Sequence, residues 1–144
     1  MKPVTLKQKL INKLAKREHT AYELIEWCAA RGFDRSEASA SVLALKEAGL
    51  QSDQRFCDMW VRHRQTQGYG QYRIIQELIS KGVTQECIDA ADVEWCDPMS
   101  TITALAQKHR HKGQDRLKRW LYQRGFAIKD IERAVGMDYI SKSE

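Results

Sequence analysis

The sequence predicts an all-α chain of three tandem three-helix repeats forming an elongated, curved array. Three observations carry that expectation. Proline occurs only at Pro3 and Pro98, so the interior is almost free of the residue that breaks helices most strongly. No stretch alternates apolar and polar residues with period two, the signature a half-buried strand would leave. One pattern recurs around a glycine, in Ala30-Arg31-Gly32-Phe33, Ser80-Lys81-Gly82-Val83 and Gln123-Arg124-Gly125-Phe126.

The recurrence extends both ways from each glycine. Eight residues before it stand Leu24, Ile74 and Leu117, and four before it Cys28, Leu78 and Leu121. These positions lie one turn apart on a helix and make one apolar stripe. A basic residue followed by glycine suits the end of that helix: the cation meets the negative terminus and glycine takes the left-handed cap. Six residues after the glycine come Ala38, Ile88 and Ile131, inside a new helix. The glycines are 50 and 43 residues apart, room for three helices per repeat.

In the first repeat this spacing predicts helices over Leu6–Lys16, Thr20–Arg31 and Asp34–Glu47, with Thr20 and Glu23 as a capping box, Asp34 as an N-cap and Gly49 as a stop. The second repeat is read as Asp53–Gln67, Tyr69–Lys81 and Thr84–Trp95, with Ser52 or Asp53 as its cap and Gly68-Tyr69-Gly70 as a helix-to-helix turn. Helices over Asp97–Lys112, Gln114–Arg124 and Ile128–Val135 complete the third, where Asp97-Pro98 is an N-cap with proline at the first helical position. The expected domain boundaries are 1–50, 51–96 and 97–144. Triplets this short bury little alone and must pack on their neighbours.

The 144 residues are 42% hydrophobic and 30% charged, a folded rather than a disordered composition. No apolar run approaches the roughly 18 residues of a membrane span, and the start lacks the apolar core of a secretory signal, so the cytoplasm is the expected compartment. Cys28, Cys57, Cys87 and Cys96 form no C-x-x-C pair and read as buried or half-buried thiols rather than disulfides or zinc ligands. His109-x-His111 is a poor metal pair on a helix, so no metal or cofactor is expected. Neither a nucleophile elbow nor H-E-x-x-H occurs, and Gly68-Tyr69-Gly70 lacks the lysine of a phosphate loop; an enzyme is not expected.

Charge is segregated along the chain. The formal net charge is +5, yet Leu105–Arg124 carries Lys108, Arg110, Lys112, Arg116, Lys118, Arg119 and Arg124 against only Asp115. Lys2–Arg17 holds cations and no acid, and Thr84–Pro98 holds Glu86, Asp89, Asp92, Glu94 and Asp97 with no Lys or Arg. Such a field steers a polyanion onto one surface. The candidate contacts are Arg55, Arg62, Arg64, Arg73, Lys81, Lys108, Arg110, Lys112, Arg116, Lys118 and Arg119. Each competes with a plainer role, such as complementing a helix C-terminus. Trp27, Trp60, Trp95 and Trp120, spaced beside Leu and Ile, read as core, as do Phe33, Phe56 and Phe126.

The second repeat carries the most specific pattern. Gly49-Leu50-Gln51-Ser52-Asp53-Gln54-Arg55-Phe56-Cys57 leads to Arg62-His63-Arg64, then Gly68-Tyr69-Gly70-Gln71-Tyr72-Arg73-Ile74 and Glu77-Leu78-Ile79-Ser80-Lys81-Gly82-Val83. This resembles the RecX family, bacterial regulators of the RecA recombinase, whose pattern is G-L-x-x-D-x-R-F-A, R-x-x-R or R-x-R, G-x-G-x-x-R-I and E-L-x-x-K-G-[IV]. Arg17-Glu18-His19-Thr20 with Glu23-Leu24 resembles the family's R-x-x-S-x-x-E-L in the first repeat. Cys57 stands where the family usually has alanine, and Tyr69 and Tyr72 depart from it around the G-x-G turn.

The resemblance implies a fold of tandem three-helix units. It also implies a monomeric negative regulator that binds the RecA filament on single-stranded DNA, lowering strand exchange and ATP hydrolysis in recombination, DNA repair and the SOS response. Single-stranded DNA, or double-stranded DNA, would be contacted without sequence preference. The competing reading is a helix-turn-helix transcription regulator, which would require a defined operator and a dimer. A third is a protein-binding solenoid insensitive to salt.

Overall fold

The computed structural model describes residues 4–136; Lys2, Pro3 and the outer ends of the first and third expected domains lie outside that range. Every regular element among them is helical. The first triplet is α1 (Leu6–Lys16), α2 (Ala21–Ala30) and α3 (Arg35–Glu47). The second is α4 (Asp53–Thr66), α5 (Gln71–Ser80) and a short α6 (Gln85–Asp89). The third is α7 (Pro98–Lys108), a 3₁₀ turn over Arg110–Lys112, α8 (Gln114–Gln123) and α9 (Ile128–Ile131), which runs into a π-helical turn over Glu132–Gly136.

Local chemistry sets the helix ends. The Thr20 hydroxyl accepts the Glu23 amide at 3.0 Å, while the Glu23 carboxylate pairs with Arg17 at 3.2 Å, so the carboxylate of the expected capping box has another partner. Ser52 caps α4 through the Arg55 amide at 3.1 Å. Asp53 reaches further: its Oδ1 accepts the Ala21 amide at the start of α2 and the Gln51 side chain, each at 2.9 Å. Asp97 caps α7 ahead of Pro98.

Two expected helices end early. The one over Thr84–Trp95 stops at Asp89. Beyond it, the Gln65 side chain donates to the Glu94 carbonyl at 3.1 Å and accepts the Cys96 amide at 2.6 Å. That side chain takes the groups a helix would use, and Pro98 disfavours helical backbone at Asp97. The helix expected to reach Lys112 stops at Lys108, and Gly113, at φ 79°, starts α8 after the 3₁₀ turn.

The chain divides into two compact units. One combines the residues through Trp60 with Leu78–Asp92; its core includes Leu10, Leu24, Cys28, Ala38, Val42 and Leu45. The other combines Val61–Glu77 with the chain from Val93 onward; its core includes Ile102, Ala106, Leu117, Leu121, Phe126, Ile131 and Val135. Phe56 and Phe126 are buried as expected. The four tryptophans are half-buried rather than fully core: Trp27 and Trp120 pack against the two cores, Trp60 stacks on the buried Phe56, and cations lie over all three rings. Phe33 is likewise half-buried under Lys9, and Cys96 is exposed, contrary to expectation, because it sits on the extended segment before α7.

Each unit contains one joint between successive triplets, built at equivalent positions of the repeat. In the first unit the Thr20 hydroxyl donates to the Lys81 carbonyl at 2.7 Å. In the second the Gly70 amide donates to the Arg124 carbonyl at 2.8 Å and the Tyr72 amide to the Gly125 carbonyl at 3.2 Å. Thr20 and Gly70 both precede the middle helix of one triplet; Lys81 and Arg124 both end the middle helix of the next. In each joint a carbonyl at one helix end is thereby satisfied from the start of another helix, by a side-chain hydroxyl in the first and by backbone amides in the second.

Close approach at these joints requires glycine. A Cβ on Gly82 would strike the Tyr22 side chain, and one on Gly125 the Arg73 side chain and backbone; at Gly32 nothing lies within 4 Å. All three have positive φ. We expect Gly82→Ala and Gly125→Ala to destabilise the fold by about 3 kcal/mol or more, and Gly32→Ala by about 1 kcal/mol from backbone strain alone. Urea denaturation followed by circular dichroism checks the ranking; equal losses at all three would show that packing at the joints is not the cause.

Candidate nucleic-acid interface

α8 is amphipathic by sequence. Leu117 and Leu121 are buried, which turns Arg116, Arg119 and Gln123 outward. Arg116, Arg119 and Gln123 recur at intervals of three and four and form one row on the helix, and Lys112 joins them from the preceding 3₁₀ turn. Lys112, Arg116, Arg119, Trp120 and Gln123 line an open depression of about 270 Å³, with no carboxylate in its wall.

One wall is an aromatic–cation stack. The Arg124 guanidinium lies 4.7 Å from the Trp120 ring centre and 4.2 Å from that of Tyr69. It donates to the Gly68 carbonyl at 3.1 Å and the Gln67 carbonyl at 2.6 Å, closing the end of α4. Lys112 Nζ sits 5.4 Å from the Trp120 ring centre, and His109 packs on the same ring at 4.3 Å between centres. Partial burial first, then the charges of Lys112, His111, Lys108 and Arg124, hold the His109 imidazole below its ordinary pKa. Burial and the surrounding positive charge both disfavour a further proton on that ring.

The structure brings together only some of the cations that sequence reasoning selected. Lys112, Arg116 and Arg119 share the depression, and Lys108 and Arg110 are exposed just before it. Lys118 leans away to Glu132 at 2.9 Å. Arg64 is largely buried and forms a two-pronged pair with Glu77 at 2.6 and 2.9 Å, under the Tyr69 ring. Arg73 shares Glu77 at 3.4 Å and donates to the Gln123 carbonyl at 3.0 Å. In the first unit Arg55 pairs with Glu18 at 3.0 Å and Lys81 covers the Trp60 ring. Arg62, in the second unit, is exposed on α4. Trp120, Gln123 and Arg124 were not selected from sequence, although the spacing from Lys112 to Gln123 is a signal that could have found the first two.

The comparisons with known proteins bear on this arrangement. A family model described as the second three-helix domain of RecX matches residues 52–91. A regulatory protein RecX from Stenotrophomonas maltophilia is 34% identical over 145 residues, spanning 91% of this chain and 85% of that protein. One from Chromohalobacter salexigens is 32% identical, spanning 87% of each. The chain belongs to the RecX family. The fold agrees: the crystal structure of RecX from Lactobacillus salivarius superposes with a TM-score of 0.74 at 20% identity, over 92% of this chain and 93% of that one. This RecX-family chain is thus a regulatory-family protein of helical triplets. Among its described residues no His, Cys, Asp and Glu group could hold a metal ion, and no helix is long and apolar enough to cross a membrane.

The two classes of arginine should separate by mutation. We expect Arg124→Ala to cost about 2 kcal/mol, since it frees two carbonyls and breaks two ring contacts. Arg116→Ala and Arg119→Ala should stay within about 0.5 kcal/mol. Urea midpoints of the three variants measure the contrast, and an Arg124→Ala protein as stable as wild type would remove the joint from that residue.

Proposed function

We propose that this protein is a negative regulator of RecA that binds the recombinase filament on single-stranded DNA as a monomer in the cytoplasm and lowers strand exchange and ATP hydrolysis. The observation that carries the reading is the acid-free depression of Lys112, Arg116, Arg119 and Trp120 in a RecX-family chain. Phosphates entering it displace counterions and supply affinity without reading sequence. Arg64, Arg73 and Arg124 act indirectly: all three pack on Tyr69, and Arg124 also backs Trp120 where that ring lines the depression. The segments 1–50, 51–96 and 97–144 contribute to one regulator, which changes filament stability only through its different affinity for the states of the filament.

Titration into RecA, single-stranded DNA and ATP tests the reading. Hydrolysis should fall at stoichiometric amounts, and no inhibition would count against the proposal. Replacing Lys112, Arg116 and Arg119 with alanine should weaken DNA binding on the order of tenfold and flatten the logarithmic salt dependence by about 2, with folding retained. An unchanged slope would exclude the depression as the contact.

A pH dependence follows from His109. Desolvation first and the neighbouring cations second hold its imidazole below the ordinary pKa; bound phosphate offsets the cations, so binding takes up a proton and tightens as pH falls below the ordinary histidine value. The His109→Gln variant should flatten that dependence in anisotropy titrations between pH 7.5 and 5.5; a dependence identical to wild type would place the proton elsewhere.

A further inference from the structure

The repeat glycine gives a common address for comparing triplets. Five residues before it stand Trp27, Glu77 and Trp120; one before it stand Arg31, Lys81 and Arg124. The first triplet thus repeats the Trp–Arg pair of the third. In the structure Arg31 lies 4.0 Å from the Trp27 ring centre, as Arg124 lies 4.7 Å from that of Trp120. A lysine completes each set from the preceding segment: Lys13 Nζ at 4.9 Å from Trp27, Lys112 Nζ at 5.4 Å from Trp120. The middle triplet lacks the set, with Glu77 at the tryptophan address.

α1 extends the first set into a row. Lys9, Lys13 and Lys16 recur at intervals of four and three, the spacing of Lys112, Arg116 and Arg119. Lys9 also lies over Phe33, at 5.7 Å. α1 has no acidic residue, and like charges one turn apart repel and weaken a helix. Among the described residues, Lys9, Lys13, Lys16 and Arg31 have no carboxylate within ion-pair distance, whereas the neighbouring Arg17 and Arg35 pair with Glu23 and Glu26. The chain pairs the cations beside the row and leaves the row itself cationic.

We infer that Lys9, Lys13 and Arg31, held by Phe33 and Trp27, form with Lys16 a second contact site for the phosphate backbone of single-stranded DNA. The inference rests on the DNA-binding reading above, and its site is separate from the depression on α8. Aromatic rings interleaved with cations that no acid neutralises are the chemistry of a single-strand track rather than of an acidic protein surface. Aromatic contact also steadies the flexible lysine stems before phosphate arrives.

The test measures the salt dependence of binding to a fluorescein-labelled oligo-dT by anisotropy, using the full chain. The Lys9→Gln/Lys13→Gln/Arg31→Gln variant should lower the logarithmic slope by about 2, at about 0.7 per lost phosphate contact. Lys9→Gln/Lys16→Gln, at exposed positions clear of Trp27, should lower it by about 1.4 and serves if the triple variant loses helicity. A fall in slope that adds to that of the Lys112/Arg116/Arg119 variant supports the second site. An unchanged slope in the α1 variants, with the α8 variant impaired, overturns it and leaves the α8 reading standing. The converse pattern would overturn the α8 reading and keep the α1 site. A wild-type protein that does not bind the oligonucleotide overturns both.

Discussion

The joint between successive middle helices is the constraint on which the rest of the structure depends. A donor ahead of one middle helix reaches a carbonyl at the end of the next, from Thr20 to Lys81 and from Gly70 to Arg124. Both ends of an α-helix carry backbone groups that must find partners. Here the carbonyl ends of two middle helices find theirs at the start of the preceding one, and Gly82 and Gly125 allow the chains close enough for that. Apolar stripes bury the helices, while the joints position one triplet's end against the next triplet's beginning.

The fate of each cation follows from that geometry. Arg73 donates to the Gln123 carbonyl and shares Glu77 with Arg64, so both arginines belong to the joint. Arg124 closes the end of α4 and backs Trp120. The cations left facing outward on α8 are those one turn further round the helix, Arg116 and Arg119.

Much of this was legible in the sequence, and what was not has physical causes. The Leu24/Cys28, Ile74/Leu78 and Leu117/Leu121 stripes and the glycine stops marked the middle helices to within two residues of their ends. Helix length failed where a distant side chain intervened, as Gln65 does on the segment before α7. Arg64 and Lys112 are indistinguishable as letters; only the placement of Glu77 and Tyr69 around the one and of an open surface around the other separates them. The tryptophans misled for a related reason, since their helical spacing beside leucine says nothing of the lysine or arginine that comes to cover the ring.

The joint's hydrogen bonds end on main-chain carbonyls, one offered a hydroxyl and the other backbone amides. Such a coupling fixes the residues at the joint, Thr20, Arg73 and the glycines, and leaves the outward positions of each triplet open to different surface character. At the address of Trp27 and Trp120 the middle triplet carries Glu77, which pairs with Arg64 and Arg73. Where the outer triplets hold an arginine-backed ring, the middle one holds an internal counterion that engages its own arginines within the fold.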